Sequence, residues 1–227
     1  LWRIAMDMHV VHRGQARGVQ LWPDANGFQP IGRRRADGID PLVECGTWCR
    51  QRGFRANIQH QNAMTDPALW PYPILDSLAC GGIVVDGQGQ RFCDEGLGGV
   101  FVTNAIAQLP DPLSAVIVFD EAIWNGPGRD WLLPANPYLL SAGGSLVSDE
   151  SLPGLARKLG MSADALGQTV SDYHLLLEGQ QADTQPARTT HTSKAWPIRQ
   201  GPFHAIPVCA GITYTMGGIA TDAQARV

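Results

Sequence analysis

Between Ser148 and Gly179 the chain spells out two consecutive helices, each with its own start and stop signals, and this stretch constrains the fold most. Ser151 stands ahead of Leu152, Leu155, Ala156 and Leu159, a one-faced apolar stripe, and Gly160 follows as a C-terminal stop. Ser162 caps a second helix that carries Leu166, Val170, Tyr173 and His174 on its apolar side. Elsewhere the signals alternate between helix and strand. Asp40 caps a helix running to Gly53, with Pro41 at its first position and Leu42, Val43, Cys45, Trp48 and Cys49 as its stripe. Val100 to Leu109 reads as a helix ended by Pro110. Gly81 to Phe92 reads as strand, tight turn and strand, with Asp86-Gly87 a favoured hairpin start. Ser114 to Phe119 is a continuous apolar run of strand length, and Phe203 to Val208 is a short strand. Gly211 to Ala220 is a Gly- and Thr-rich strand or turn. Met64–Leu78 and Asn125–Ser145 read as irregular, and Gln180–Ser193 as a polar linker. The fold class expected from this mixture is α+β.

Bulk properties exclude more than they specify. A formal net charge of −4 over 227 residues gives no reason to expect nucleic acid as a partner. No apolar run approaches the ~20 residues of a spanning helix, so no membrane span is expected. Leu1 to Val10 lacks the pattern of a secretory signal; it begins without Met and in mid-pattern, as an excised segment would. The 5 cysteines are odd in number and scattered, which favours reduced thiols and a cytoplasmic protein. Cys45 and Cys49 share a helical face with no second pair, so buried small hydrophobes are expected there rather than a zinc site. His9, His12 and His60 have no metal-ligand spacing, and no metal is expected. A P-loop and a nucleophile elbow are both absent from the sequence. Arg33 to Arg35 reads as a solvated turn.

Three segments, taken in order, resemble the fumarate reductase and succinate dehydrogenase flavoprotein superfamily. The first is Gly81-Gly82-Ile83-Val84-Val85-Asp86 followed by Gly89-Gln90-Arg91-Phe92-Cys93-Asp94-Glu95-Gly96. The second runs from Leu152 to Met161 and on through Leu166-Gly167-Gln168-Thr169-Val170-Ser171-Asp172-Tyr173. The third is Gly201-Pro202-Phe203-His204-Ala205-Ile206-Pro207-Val208, then Gly211-Ile212-Thr213-Tyr214-Thr215-Met216-Gly217-Gly218. In motif style the set is closer to the tricarballylate and ketosteroid dehydrogenase side of the superfamily. The resemblance implies a capping domain that closes over FAD and shapes a pocket for a small carboxylate or ketone. Residues 75–227 would form its core, with the segment returning towards the flavin, and 1–74 a weakly matched N-terminal part.

No Gly-x-Gly-x-x-Gly follows any strand signal, so the nucleotide-binding domain is expected to be missing. FAD would belong to the full-length parent, whose FAD-binding domain becomes a partner of this chain, and the fragment alone would not hold it tightly. The stretch Gly96 to Phe101 lacks the arginine that serves fumarate reductases as proton donor, which speaks against fumarate reduction. A His-His pair of those reductases is replaced by Thr213-Tyr214. Tyr214 is therefore the leading acid/base candidate, against the alternative of a strand tyrosine with its hydroxyl bonded. Glu95 is the second catalytic candidate beside Tyr214: the resemblance implies that it would lie near substrate and proton path, against the alternative of an ion pair with Arg91 that orders the hairpin. Thr213, Thr215 and His60 are candidate substrate-binding residues; the threonines also suit simple strand alternation, and His60 an ordinary loop imidazole. Met216, Gly217 and Gly218 would face the flavin, where glycine lets the backbone approach a ring. The rival from another class is an idle binding fragment, and a weaker one is a flavin-free lyase or isomerase.

Overall fold

A computed structural model describes residues 55–70, 72–180, 186–190 and 193–214, with Arg55, Ala56 and 212–214 given by backbone alone. Two compact units divide the chain: Ala56–Gly211, and Leu1–Arg55 together with Ile212–Val227. The helix expected at Asp40–Gly53 and the arginines Arg33 to Arg35 lie outside the described residues.

The Ala56–Gly211 unit is built on a mixed-order sheet. Its strands are β1 (Arg55–His60), β2 (Ile83–Val85), β3 (Val116–Asp120), β4 (Val147–Asp149) and β5 (Phe203–Tyr214). The order across the sheet is β1-β5-β3-β2, and β4 also pairs with β5. β3 is the middle of the core. It runs antiparallel to β2, with Ile83 opposite Val118, and antiparallel to β5, with Val116 opposite Pro207 and Asp120 opposite Phe203. Every residue of β2 and β3 is buried, and all but Asp120 are apolar. The apolar run expected at Ser114–Phe119 is thus a buried strand, shifted by two residues at its start.

Helices cover the sheet. α1 (Asp76–Gly81) packs on α2 (Gly99–Ala107) and on β3, and α3 (Glu121–Asn125) follows β3 directly, with the Asp120 side chain accepting from Ile123 N as its cap. The strongest helical signals hold as read. α5 (Leu152–Leu159) starts at Ser151, whose hydroxyl accepts from Gly154 N at 3.1 Å, and ends at Gly160 with φ +71°. α6 (Ala163–Leu177) starts at Ser162, packs against α5, and buries Leu166, Thr169, Val170 and Tyr173. Burying Leu155 and Leu166 completely contributes about 1.5–3 kcal/mol each relative to exposure.

Three expectations are corrected. The Gly81–Phe92 hairpin has only one arm: after the turn at Asp86–Gln90 a single bridge joins Val85 to Arg91. Past Arg91 the chain turns into the 3-10 turn Glu95–Leu97, capped by Asp94, and no second strand forms. The stretch Asn125–Ser145 is not all loop, since it contains a 3-10 turn at Pro127–Arg129 and α4 (Ala135–Ser141). Burial of Leu139 and a hydrogen bond from Asn136 Nδ2 to the Trp124 carbonyl outweigh the local Gly and Pro content. Finally, the two strand pieces expected after Phe203 are one continuous strand to Tyr214.

Candidate functional site

Glu95 opens a 3-10 turn, Glu95–Leu97, that Asp94 caps by accepting from Gly96 N at 2.9 Å. This turn points the Glu95 carboxylate into the core beneath β2. One oxygen accepts from Val84 N at 2.9 Å and from Arg91 Nε at 3.1 Å; the other accepts from Arg91 Nη2 at 2.6 Å. Both side chains are 0% exposed, so this is a bidentate ion pair sealed from water. The pairing with Arg91 was one of two sequence readings of Glu95, and the structure places it in the interior rather than on a solvated turn.

The remaining donors of Arg91 fasten more distant chain. Nη1 donates to the Pro186 carbonyl at 3.0 Å, and Nη2 to the carbonyls of Ala187 and Cys93. Its guanidinium lies 5.4 Å from the centre of the Tyr173 ring, whose hydroxyl donates to the Trp196 carbonyl. Burial acts against the Arg91 charge, but the Glu95 hydrogen bond and charge more than offset it, and the net pKa is raised. Arg188 is a second buried guanidinium. Its Nε stands 3.9 Å from Glu95 Oε2, an electrostatic contact too long for a hydrogen bond, while the rest of the group donates to the Cys80 and Thr189 carbonyls. Asp94 adds a second carboxylate by accepting from Thr189 N at 3.0 Å. Two cations and two anions therefore balance within one buried cluster.

Burial pushes the Tyr173 phenol up to about 12, so it serves as a donor. The Cys80 thiol is pushed up to about 12, chiefly by burial, and Cys93 is raised well above its usual value for the same reason. The free thiols Cys80, Cys93 and Cys209 are all buried, as small hydrophobes. Cys45 and Cys49 lie outside the described residues.

His60 ends β1 and is 3% exposed. It is no loop imidazole: Nδ1 accepts from Asn62 N at 3.1 Å, capping the next turn, and Nε2 is buried without a hydrogen-bond partner among the described residues. Burial lowers its pKa, partly countered by the Ser145 backbone. The His60 carbonyl accepts from the Cys209 thiol at 3.7 Å, and a Cβ on Gly211 would stand 2.3 Å from Gln59 Cγ. Glycine at 211 is thus set by close approach of the Gln59 side chain. No hydrogen bond among the described residues joins His60 to Glu95. Thr213 and Tyr214 end β5, where the backbone alone is described; Thr215, Met216, Gly217 and Gly218 lie outside the described residues. The sequence does not mark Arg188 or Asp94 as site residues, although Asp94 stands within the first motif. Arg188 sits in the stretch read as a polar linker, and only its burial reveals it.

The sequence profile of a family described as "FAD binding domain" matches residues 51–227. The chain belongs to this family, that of the fumarate reductase and succinate dehydrogenase-like flavoproteins. FAD is the cofactor of these flavoproteins. Among known proteins the chain is 34% identical over 215 residues to an NADH:fumarate oxidoreductase of Klebsiella pneumoniae (strain 342), covering 92% of this chain and 21% of that one. It is 29% identical over 167 residues to a 4-oxocyclohexanecarboxylate 2-dehydrogenase of Sinomonas cyclohexanicum, covering 65% and 28%. Among solved structures it resembles the open conformation of a flavocytochrome c3 fumarate reductase, with a TM-score of 0.53, 22% identity and coverage of 76% and 29%. A 3-ketosteroid delta1-dehydrogenase from Sterolibacterium denitrificans matches with a TM-score of 0.50, 27% identity and coverage of 65% and 30%. The chain thus spans 21% to 30% of the length of these flavoproteins.

A dinucleotide grip needs a strand, a glycine-rich turn and a helix whose N-terminus meets the pyrophosphate. Among the described residues the glycine turn that leaves a strand, Asp86–Gln90, runs into the Arg91 bridge and not into a helix. The described residues therefore do not fit that part of FAD. Nor is any helix among them long and apolar enough to cross a membrane.

Proposed function

We propose that this chain is the substrate-capping part of an FAD-dependent oxidoreductase that dehydrogenates or reduces a C–C bond next to a carbonyl or carboxylate. The observation that carries the reading is the combination of a match to the flavoprotein family over 51–227 with a described unit that has no dinucleotide grip. The nucleotide-binding domain, and with it the hydride chemistry, would belong to the rest of the parent polypeptide. In this reading the β5 extension brings Thr213, Tyr214 and Thr215 to the substrate. Tyr214 gives or takes the proton at the carbon beside the one that exchanges hydride, a role a phenol fills when a neighbouring carbonyl activates that C–H bond. Thr213, Thr215 and His60 contribute hydrogen bonds to the substrate, and Met216, Gly217 and Gly218 line the flavin side. Glu95 acts as a positioning residue, holding Arg91 and the 186–190 segment beneath β2.

Two measurements test this. The 227-residue chain should be colourless and titrate no FAD by calorimetry, whereas the full-length polypeptide should be yellow. Stoichiometric FAD on the 227-residue chain alone would overturn the capping assignment. In the full-length enzyme, Tyr214→Phe should lower kcat by roughly 10²–10⁴ with the flavin spectrum retained. Undiminished turnover would remove Tyr214 from the chemistry.

A further inference from the structure

A second constellation lies where β4 meets β5 in the sheet. Ser148 and His204 are direct cross-strand partners. The Ser148 hydroxyl is 2.7 Å from His204 Nδ1, and His204 Nε2 is 2.8 Å from Glu121 Oε2. Glu121, the first residue of α3, is itself held: its other oxygen accepts from Asn125 Nδ2 at 2.7 Å, and Asn125 Oδ1 accepts from Arg129 Nη2 at 2.8 Å. The imidazole is clamped on its apolar side by the Phe119 ring, 5.5 Å between centres. A nucleophile bonded to a base, with the base oriented by a third group, is the arrangement that activates serine on unrelated folds.

We propose that Ser148 is an activated nucleophile, with His204 as its base and Glu121 as the orienting carboxylate, and that it takes acyl groups from activated esters. The carboxylate accepts only, so it draws the ring proton to Nε2 and leaves the Nδ1 lone pair facing the serine O–H. The His204 side chain is 8% exposed and Glu121 46%, so the base is shielded while the relay still opens to water. Ser148 is half-buried, and Lys158 donates to its carbonyl while pairing with Asp149 at 3.1 Å, which fixes the backbone beside the hydroxyl. In the reaction, Ser148 Oγ bonds to the ester carbonyl carbon as its proton passes to His204 Nδ1. The tetrahedral intermediate collapses, breaking the bond to the alcohol oxygen, which leaves with that proton. Water then attacks the acyl carbon, again giving a proton to His204; the carboxylic acid departs and Ser148 regains its hydrogen. One ester and one water yield one acid and one alcohol.

The test uses the full-length polypeptide, a fluorophosphonate probe and p-nitrophenyl acetate, with the modified residue mapped by tandem mass spectrometry. The expected result is one dominant label on Ser148, forming about 10²-fold faster than on the exposed Ser171. Ser148→Ala should abolish it, Glu121→Gln should slow it at least tenfold, and Ser171→Ala should leave it unchanged. Mapping on the unaltered protein needs no variant, so a substitution that harms folding does not shelter the proposal. An unlabelled Ser148 in folded protein, or labelling as fast in Glu121→Gln as in the parent, overturns it.

Discussion

Removing the Glu95 carboxylate should cost this fold several kilocalories, and the geometry says how many. In Glu95→Ala, the Arg91 guanidinium loses two hydrogen bonds and its counter-ion, Arg188 loses the carboxylate 3.9 Å away, and Val84 N–H loses its acceptor. All of this happens at side chains that are 0% exposed, where water does not replace the lost partner. Breaking a buried pair from one side costs about 3–5 kcal/mol. With a urea m-value of about 2 kcal/mol/M for a unit of this size, the unfolding midpoint should fall by roughly 1.5–2.5 M. Arg91→Met should cost as much and also release the Pro186 and Ala187 carbonyls, so trypsin should gain access to Arg188. The double variant Arg91→Leu/Glu95→Leu should cost less than the sum of its singles by about 2 kcal/mol, because neither charge is then stranded. A midpoint loss below about 0.5 M for either single variant, or simple additivity, would refute the reasoning, since only a solvated pair behaves so.

Three further outcomes follow from the same structure. Gly96→Ala should cost about 1–3 kcal/mol and expose Arg188 to trypsin, because a Cβ would stand 1.9 Å from the Thr189 carbonyl oxygen; an unchanged digestion pattern would contradict that close approach. Cys80, Cys93 and Cys209 should resist a disulfide reagent at pH 8 until the chain is unfolded, since burial raises all three thiols, Cys80 and Cys209 to about 12; rapid native modification mapped to any of them would contradict it. Burial lowers the pKa of His60 and of His174, the latter helped by the Arg199 charge, and each ring accepts a backbone N–H that protonation would break, from Asn62 and from Ile198. The unfolded chain therefore binds protons first, so stability present above the ordinary value of 6.5 declines as pH falls below it, by up to about 1.4 kcal/mol per pH unit for His60 and less for the more exposed His174. Urea midpoints measured from pH 7.5 to 5.5 should show this slope and His60→Phe should flatten it, whereas a level profile in the parent would contradict it.

Which parts of this molecule could be read from its sequence depends on the distance over which their causes act. The caps at Ser151 and Ser162, the stop at Gly160 and the apolar run of β3 rest on neighbours within a turn or a strand; the caps and the stop lie where the residues indicate, and β3 within two residues of it. The Arg91–Glu95 pairing is also local, at i and i+4, and was legible as a pairing; its burial was not, because Arg188, Pro186 and Ala187 supply it from nearly a hundred residues on. The same holds for α4, whose Gly- and Pro-rich surroundings read as loop until Leu139 and Asn136 find partners elsewhere in the core. Sheet register is the step that turns scattered residues into neighbours. β4 is only 3 residues long, Val147, Ser148 and Asp149, and carries no alternation from which a register could be read. Its pairing with β5 sets Ser148 opposite His204, and a slip of one residue would set Val147 or Asp149 there and turn the hydroxyl to the other face. The segments flanking β4 fix the choice: Asp149 accepts from Ser151 N and pairs with Lys158 at the far end of α5, so the capped helix pins the strand. The most legible element of the chain thereby sets the least legible one, and with it the geometry on which the Ser148 chemistry depends.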